Sequence, residues 1–313
     1  MNSATPASAP PPPMASGVAP GLQELIALRG IAQGRGMARR GRDGVSGHAL
    51  SNLRGRGMEY AESREYAVGD DARHIDWRLT ARSGRTHTKL FQAERERLSL
   101  VVADTAPALY FGTRVRFKSV QAARVAALAA WVAVRDGDRV AALRGSAREA
   151  PVPPASGARG ALRVLDALVR WYAAPPGDDT GLADALAHAQ RLLRPGARVL
   201  VVAEPASVLA VPPARWAALA MHQDLVAVLP TDPLEEAPPA AQRGFALAGS
   251  APLALDLAAS ATRQRWHGEF AATLETALQR LRGQGVRAMP LSCDAPSDAW
   301  LPLLDQPRQG RRR

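Results

Sequence analysis

The sequence predicts an α/β fold with a mostly parallel sheet covered by helices on both faces. Three observations carry this expectation. Beyond Arg97, short apolar runs alternate with helical stripes whose apolar residues recur at three- and four-residue steps. Turn-forming residues bound each run, which favours strands covered by helices on both faces. The composition, 47% hydrophobic and 22% charged over 313 residues, is enough for a sizeable core and about two domains.

In chain order, residues 1–20 are rich in Pro, Ala and Ser and read as a disordered tail. Leu22, Leu25, Ile26 and Leu28 have helical spacing, and a basic, glycine-rich loop at 34–47 follows them. Between 53 and 97 dense charge is interleaved with Tyr60, Tyr66, Ile75, Trp77 and Phe91, and 86–91 alternates like a strand. Together 21–97 form a charged, β-containing N-terminal segment. The main domain spans 98–305, with strands at 99–103, 139–143, 198–202, 225–229 and 286–291. Its helical stripes run through Phe117, Val120, Val125, Leu128 and Val132; Leu162, Leu165, Val169 and Tyr172; Leu182, Leu186, Ala189 and Leu193; and Phe270, Leu274, Leu278 and Leu281. An inserted hairpin is expected from 245–248 and 253–257 around a turn at 249–252. Residues 306–313 form a basic tail.

Several classes are excluded. The lone Cys293 rules out a disulfide framework and a cysteine-rich metal site. No apolar run is long enough to span a membrane and the first residues lack a signal-peptide pattern, so a soluble, cytoplasmic chain is expected. There is no phosphate-binding G-x-x-x-x-G-K-[ST], and Gly34, Gly36 and Gly41 lack dinucleotide-binding spacing. Neither a G-x-S-x-G elbow nor a histidine pair with zinc spacing is present, and Cys293 reads as a packed small residue. The expectation is therefore a protein that is not an enzyme. Its net charge of +11 raises nucleic acid as a second reading, through Arg35, Arg39, Arg40 and Arg42 with Arg311–Arg313. A solvated arginine surface is the favoured account. Only Lys89 and Lys118 are lysines.

The first strand of the main domain ends at Asp104, where open parallel sheets bind ligands beyond their carboxyl ends. A helix-capping aspartate is an equal alternative there. Upstream, Gly69–Arg82 reads GDDARHIDWRLTAR, preceded by Arg64 and Tyr66. With the later TDPLEEAPPA at 231–240, this resembles the bacterial family called domain of unknown function 58. The resemblance implies a von Willebrand factor type A-like domain, whose mostly parallel sheet is doubly wound. It also implies a role as partner or adaptor of a MoxR-type AAA+ ATPase in chaperone-like maturation of other proteins, the client being unidentified.

Such domains often bind Mg²⁺ through D-x-S-x-S, a threonine and an aspartate. Here both serine positions are alanine, Ala106 and Ala108, while Thr180 and Glu204 stand for the other two ligands. The metal site at Asp104, Thr180 and Glu204 is thus expected to be vestigial, with no cofactor. Asp104, Thr105, Thr180 and Glu204 become candidate partner-binding residues. Arg64, Tyr66, Gly69, Asp70, Asp71, Arg73, Asp76, Trp77 and Arg82 are read as structural, with Trp77 buried among satisfied ion pairs; an interface is the alternative.

Overall fold

The computed structural model describes residues 17–39, 58–93, 97–245 and 253–306. Most of the N-terminal tail, the glycine-rich loop from Arg40 onward, the hairpin turn and the basic tail lie outside the described residues. So do Arg40, Arg42 and Arg311–Arg313. Two compact units result: 1–39 together with 97–313, and 40–96.

The larger unit is a mixed α/β layer structure. Its helices begin with α1 (Leu22–Ala27) and α2 (Arg29–Arg39), and the smaller unit contributes strands β1 (Met58–Glu65) and β2 (His87–Ala93) around α3 (Trp77–Ser83). Then follow β3 (Leu98–Ala103), α4 (Lys118–Arg135), β4 (Arg139–Leu143), β5 (Val152–Ala155), α5 (Gly157–Trp171), α6 (Leu182–Leu192) and β6 (Arg198–Val202). The chain continues through α7 (Pro205–Ala210), α8 (Pro213–His222), β7 (Asp224–Thr231), α9 (Pro233–Glu236), β8 (Gln242–Phe245) and β9 (Leu253–Asp256). It ends with α10 (Ser260–Glu269), α11 (Ala271–Gly283) and β10 (Arg287–Ser292).

Six strands form one sheet in the order β10-β7-β6-β3-β4-β5. All neighbours are parallel except β5, which runs antiparallel to β4. The order reverses between β3 and β6, so the chain winds outward from the middle in both directions. Alternation along the strands sorts the side chains. Val101, Ala103, Val140, Leu200 and Val228 face a layer containing α4 and α5, while Leu100, Leu143, Val199, Val201 and Leu229 face α6, α7 and α11. Both faces are dry, and each fully buried Val or Leu contributes about 1.5–3 kcal/mol. Prolines occur in both outer strands, Pro153 and Pro154 in β5 and Pro290 in β10, the positions where a lost ladder donor is tolerated.

Four expectations shift. Residues 17–20, read as tail, are placed: the Gly17 carbonyl accepts the Phe117 N–H at 2.7 Å. The helix pair 22–39 belongs with the sheet and not with the charged segment, because Leu25, Leu28 and Ala32 are buried in the core beneath α4. Trp131 Nε1 fixes that contact by donating to the Leu25 carbonyl at 3.0 Å. Residues 34–39, read as loop, continue α2 from its buried turn at Ala32 despite the low helix propensity of glycine. The inserted hairpin is present, but its first strand is 242–245, with Phe245 paired to Leu253.

Candidate functional site

Four loops leave the carboxyl ends of neighbouring strands and meet at the switch point. Asp104, one residue beyond β3, is 3% exposed. Its Oδ1 accepts the Ala106 N–H at 3.1 Å and its Oδ2 the Glu204 N–H at 2.9 Å, so one carboxylate shapes its own loop and clamps the loop after β6. The Tyr172 hydroxyl donates to the Asp104 carbonyl at 2.8 Å. Burial pushes the Asp104 carboxyl above its ordinary value, against the pull of these N–H donors.

Glu204 precedes α7 and reaches Lys118, the first residue of α4. Lys118 is fully buried. Its Nζ donates to Glu204 Oε1 at 3.2 Å, lies 3.0 Å from Glu204 Oε2, and donates to Glu235 Oε1 at 2.6 Å. Glu235 in turn accepts the Asp232 N–H at 3.1 Å as half of a capping box on α9. Asp232 closes the ring: its carboxylate accepts the Thr113 N–H at 2.8 Å and the Thr113 hydroxyl at 2.6 Å, back on the loop between β3 and α4. Burial alone would lower the Lys118 ammonium, but Glu204 and Glu235 outweigh it and hold its pKa above the ordinary lysine value. Burial raises both glutamates, with Lys118 opposing.

A second cluster flanks Asp104. The Thr105 hydroxyl donates to Asp179, and Asp179 Oδ1 accepts the Gly181 N–H at 2.7 Å. Arg144, after β4, donates to Asp178 at 2.9 Å, yet its buried Nε and Nη1 have no hydrogen-bond partner. Two loops touch here: a Cβ on Gly145 would stand 2.2 Å from the Gly181 carbonyl oxygen. Thr180 lies exposed at the rim.

Of the four candidate partner-binding residues, the structure brings Asp104, Thr105 and Glu204 together but inside the protein, at 3%, 1% and 8% exposure. Only Thr180 faces solvent, so the other three act through the loops they hold. As ligands for a hard divalent cation, which asks for about six oxygens, these residues do not fit. Ala106 and Ala108 have no oxygen, Thr105 is committed to Asp179, and Glu204 is committed to an ammonium. Among the described residues no group of three or more His, Cys, Asp or Glu is placed to hold a metal ion. Cys293 is buried, and burial pushes its thiol well up.

The signature residues lie in the smaller unit. Gly69 has φ of 105° and turns the chain so that Asp70 pairs with Arg64 at 2.7 Å and accepts the Ala67 N–H at 2.9 Å. The Tyr66 hydroxyl donates to the Asp70 carbonyl at 3.0 Å. Asp71 accepts the Arg73 N–H at 3.0 Å, with the guanidinium 3.2 Å away. Asp76 caps α3 by accepting the Leu79 N–H at 3.0 Å, and it also accepts the Ser63 hydroxyl at 2.9 Å. Arg82 is exposed on α3. The expected ion pairs are thus present, but Trp77 is not buried: it is 70% exposed. The reason is that α3 has only seven residues and buries none of them, leaving the indole no core to enter.

Sequence reasoning passed over Lys118 and Glu235. Two signals pointed to them: Lys118 is one of two lysines among 40 basic residues, and Glu235 ends a D-P-x-E capping sequence.

Fold and site define a doubly wound α/β protein whose strand-end crevice is filled by its own side chains. The chain belongs to the family described as Protein of unknown function DUF58, whose model matches residues 62–272. That range holds Asp104, Lys118, Glu204 and Glu235, and the signature from Arg64 onward. Similar proteins include Uncharacterized protein Mb1516 of Mycobacterium bovis and Uncharacterized protein Rv1480 of Mycobacterium tuberculosis. Each is 34% identical over 164 residues, covering 51% of this chain and 51% of the relative. The chain therefore matches about half the length of these curated relatives. No solved structure matches it. Among the described residues no helix is long and apolar enough to cross a membrane.

Proposed function

We propose that the chain is a non-enzymatic protein-interaction module that works as an adaptor for a MoxR-type AAA+ ATPase. The resemblance of the GDD…IDW segment to MoxR-associated proteins supplies the partner class. The doubly wound strand order supports a von Willebrand factor type A-like reading of the sheet. The observation that carries the interaction reading is Trp77, an indole 70% exposed on a helix whose start is fixed by Asp76. Tryptophan on an ordered element is the side chain most often found at the energetic centre of protein interfaces, where arginine is also enriched. Arg73 and Arg82 are exposed in the same unit, as is Val68.

In this reading the strand-end network does no chemistry. It fixes the loop that presents Thr180 at the surface. The test is affinity capture from the native cell with a slowly hydrolysed ATP analogue, comparing the wild-type chain with Trp77→Ala. A AAA+ ATPase recovered with the wild type at raised salt, and lost with a variant of unchanged melting midpoint, supports the adaptor. Recovery of only nucleic acid that salt washes away assigns the +11 charge to a nucleic-acid-binding role and ends it.

A further inference from the structure

Open parallel sheets leave a crevice beyond their strand ends where the winding reverses, and ligands enter there. In this chain a buried ammonium stands at that place, between carboxylates delivered by the loops after β6 and β7. We propose that Lys118 is a tethered cation that closes the crevice to diffusible metal, and that removing it uncovers a divalent-cation site formed by Glu204 and Glu235.

Three features lead to this assignment. First, the separations of 2.6, 3.0 and 3.2 Å between Nζ and the glutamate oxygens suit an N–H···O contact, whereas Mg²⁺ sits about 2.0–2.1 Å from its oxygens. Second, two buried glutamates share one ammonium. Glu204 and Glu235 are each 8% exposed, and Lys118 Nζ contacts both. The neighbouring Asp104 and Asp232 are occupied by backbone N–H groups. Third, this buried basic residue is a lysine in a chain where 38 of the 40 basic residues are arginine. A compact ammonium on an unbranched stem fits between two carboxylates, while a planar guanidinium would need a wider fork.

Lys118 also begins an 18-residue helix, where the helix dipole disfavours a positive charge. Its place there makes sense only with both glutamates present. Without the ammonium, two like charges would be left buried side by side, and they would take up a proton or a metal.

The experiment is Mn²⁺ titration of the full chain, followed by calorimetry and by the thermal midpoint, for the wild type, Lys118→Ala and Lys118→Ala/Glu204→Gln. The wild type should take up no Mn²⁺ at the crevice. Lys118→Ala should bind one equivalent and rise in midpoint, and adding Glu204→Gln should weaken uptake at least roughly tenfold, since a carboxylate is a far better ligand for a hard cation than an amide. If Lys118→Ala is unfolded without metal, refolding on addition of Mn²⁺ reads the same way. Uptake by the wild type that Glu204→Gln abolishes would overturn the assignment. So would a Lys118→Ala chain that Mn²⁺ neither stabilises nor refolds.

Discussion

The two ends of the central sheet solve the same problem differently. At the amino ends, Arg97, Arg198 and Arg287 alternate with Asp136, Asp138 and Asp224 in a chain of ion pairs that crosses the strands. Arg97 lies 3.0 Å from Asp138 and Arg198 lies 2.9 Å from Asp136, while Arg287 pairs with Asp224. Arg135 also pairs with Asp136 at 2.8 Å, and Ser99 adds a 2.6 Å hydrogen bond to Asp138. At the carboxyl ends Lys118 alone pairs with the buried Glu204 and Glu235. The amino end is redundant, since Asp136, Asp138 and Asp224 each pair with more than one arginine. The carboxyl end hangs on one residue. Charge that is shared holds structure, whereas charge resting on a single group can be switched.

The sharpest way to break this comparison is at Lys118. Lys118→Met should cost about 3–5 kcal/mol in urea denaturation, because it leaves two buried glutamates uncompensated. Adding Glu204→Gln and Glu235→Gln should recover part of that loss. A smaller loss than that of an amino-end substitution would reverse the ranking. Gly145→Ala comes next: its Cβ must push the Gly181 carbonyl away and disturb the Thr180 loop, at a cost of about 1–3 kcal/mol. Asp138→Asn tests the redundant end and should cost about 1–2 kcal/mol by the same denaturation, as Arg97 and Arg198 retain Asp136.

The pH response separates the regions further. Asp104, Glu204 and Glu235 have raised pKa values, so the folded state holds protons more tightly than the unfolded chain. Their contribution is full below the ordinary carboxylate value and declines as pH rises towards their raised values. Lys118, also raised, contributes fully below the ordinary lysine value and loses that contribution as pH climbs through its own higher one. In the smaller unit, hydrogen bonding to Arg85 lowers Glu65, and backbone N–H groups lower Asp71 and Asp76. Their contribution is present above the ordinary carboxylate range and disappears as pH falls through the lowered values. Segment-resolved hydrogen exchange should therefore show acid loosening the signature unit and alkali loosening the strand ends. The smallest effect on stability is expected from Trp77→Ala, within about 0.5 kcal/mol by thermal melting, since its indole is exposed.

Much of this architecture is legible in the sequence because both sheet faces are dry. Each of the five apolar runs falls on a strand of the main sheet to within two residues, and the four stripes fall on α4, α5, α6 and α11. What stayed hidden has a physical cause in each case. Strand β5 reads VPPA, and two prolines argue against a strand unless it lies at an edge, which only topology reveals. Helices α7 and α8 begin at prolines that punctuate like turns but also suit a first helical turn. For the site, Asp104 and Glu204 are legible as strand-end residues. Lys118 is not, because a lysine ahead of an apolar stripe looks like a solvated end, and its two carboxylates lie 86 and 117 residues away. The exposure of Trp77 is not legible either, because an aromatic in a charged segment suggests a small core, and α3 buries none of its residues.

The prolines of the outer strands restrict how this protein can be recognised. Successive residues of a strand direct their N–H groups to opposite sides, so either Pro153 or Pro154 leaves the free margin of β5 without a donor. Pro290 weakens the far margin in the same way. A guest strand seeking to lengthen the sheet would meet gaps in the hydrogen-bonding template on both sides. A partner must then read side chains and loop shape, and recognition by backbone pairing, the least sequence-selective route to association, is disfavoured from the outset.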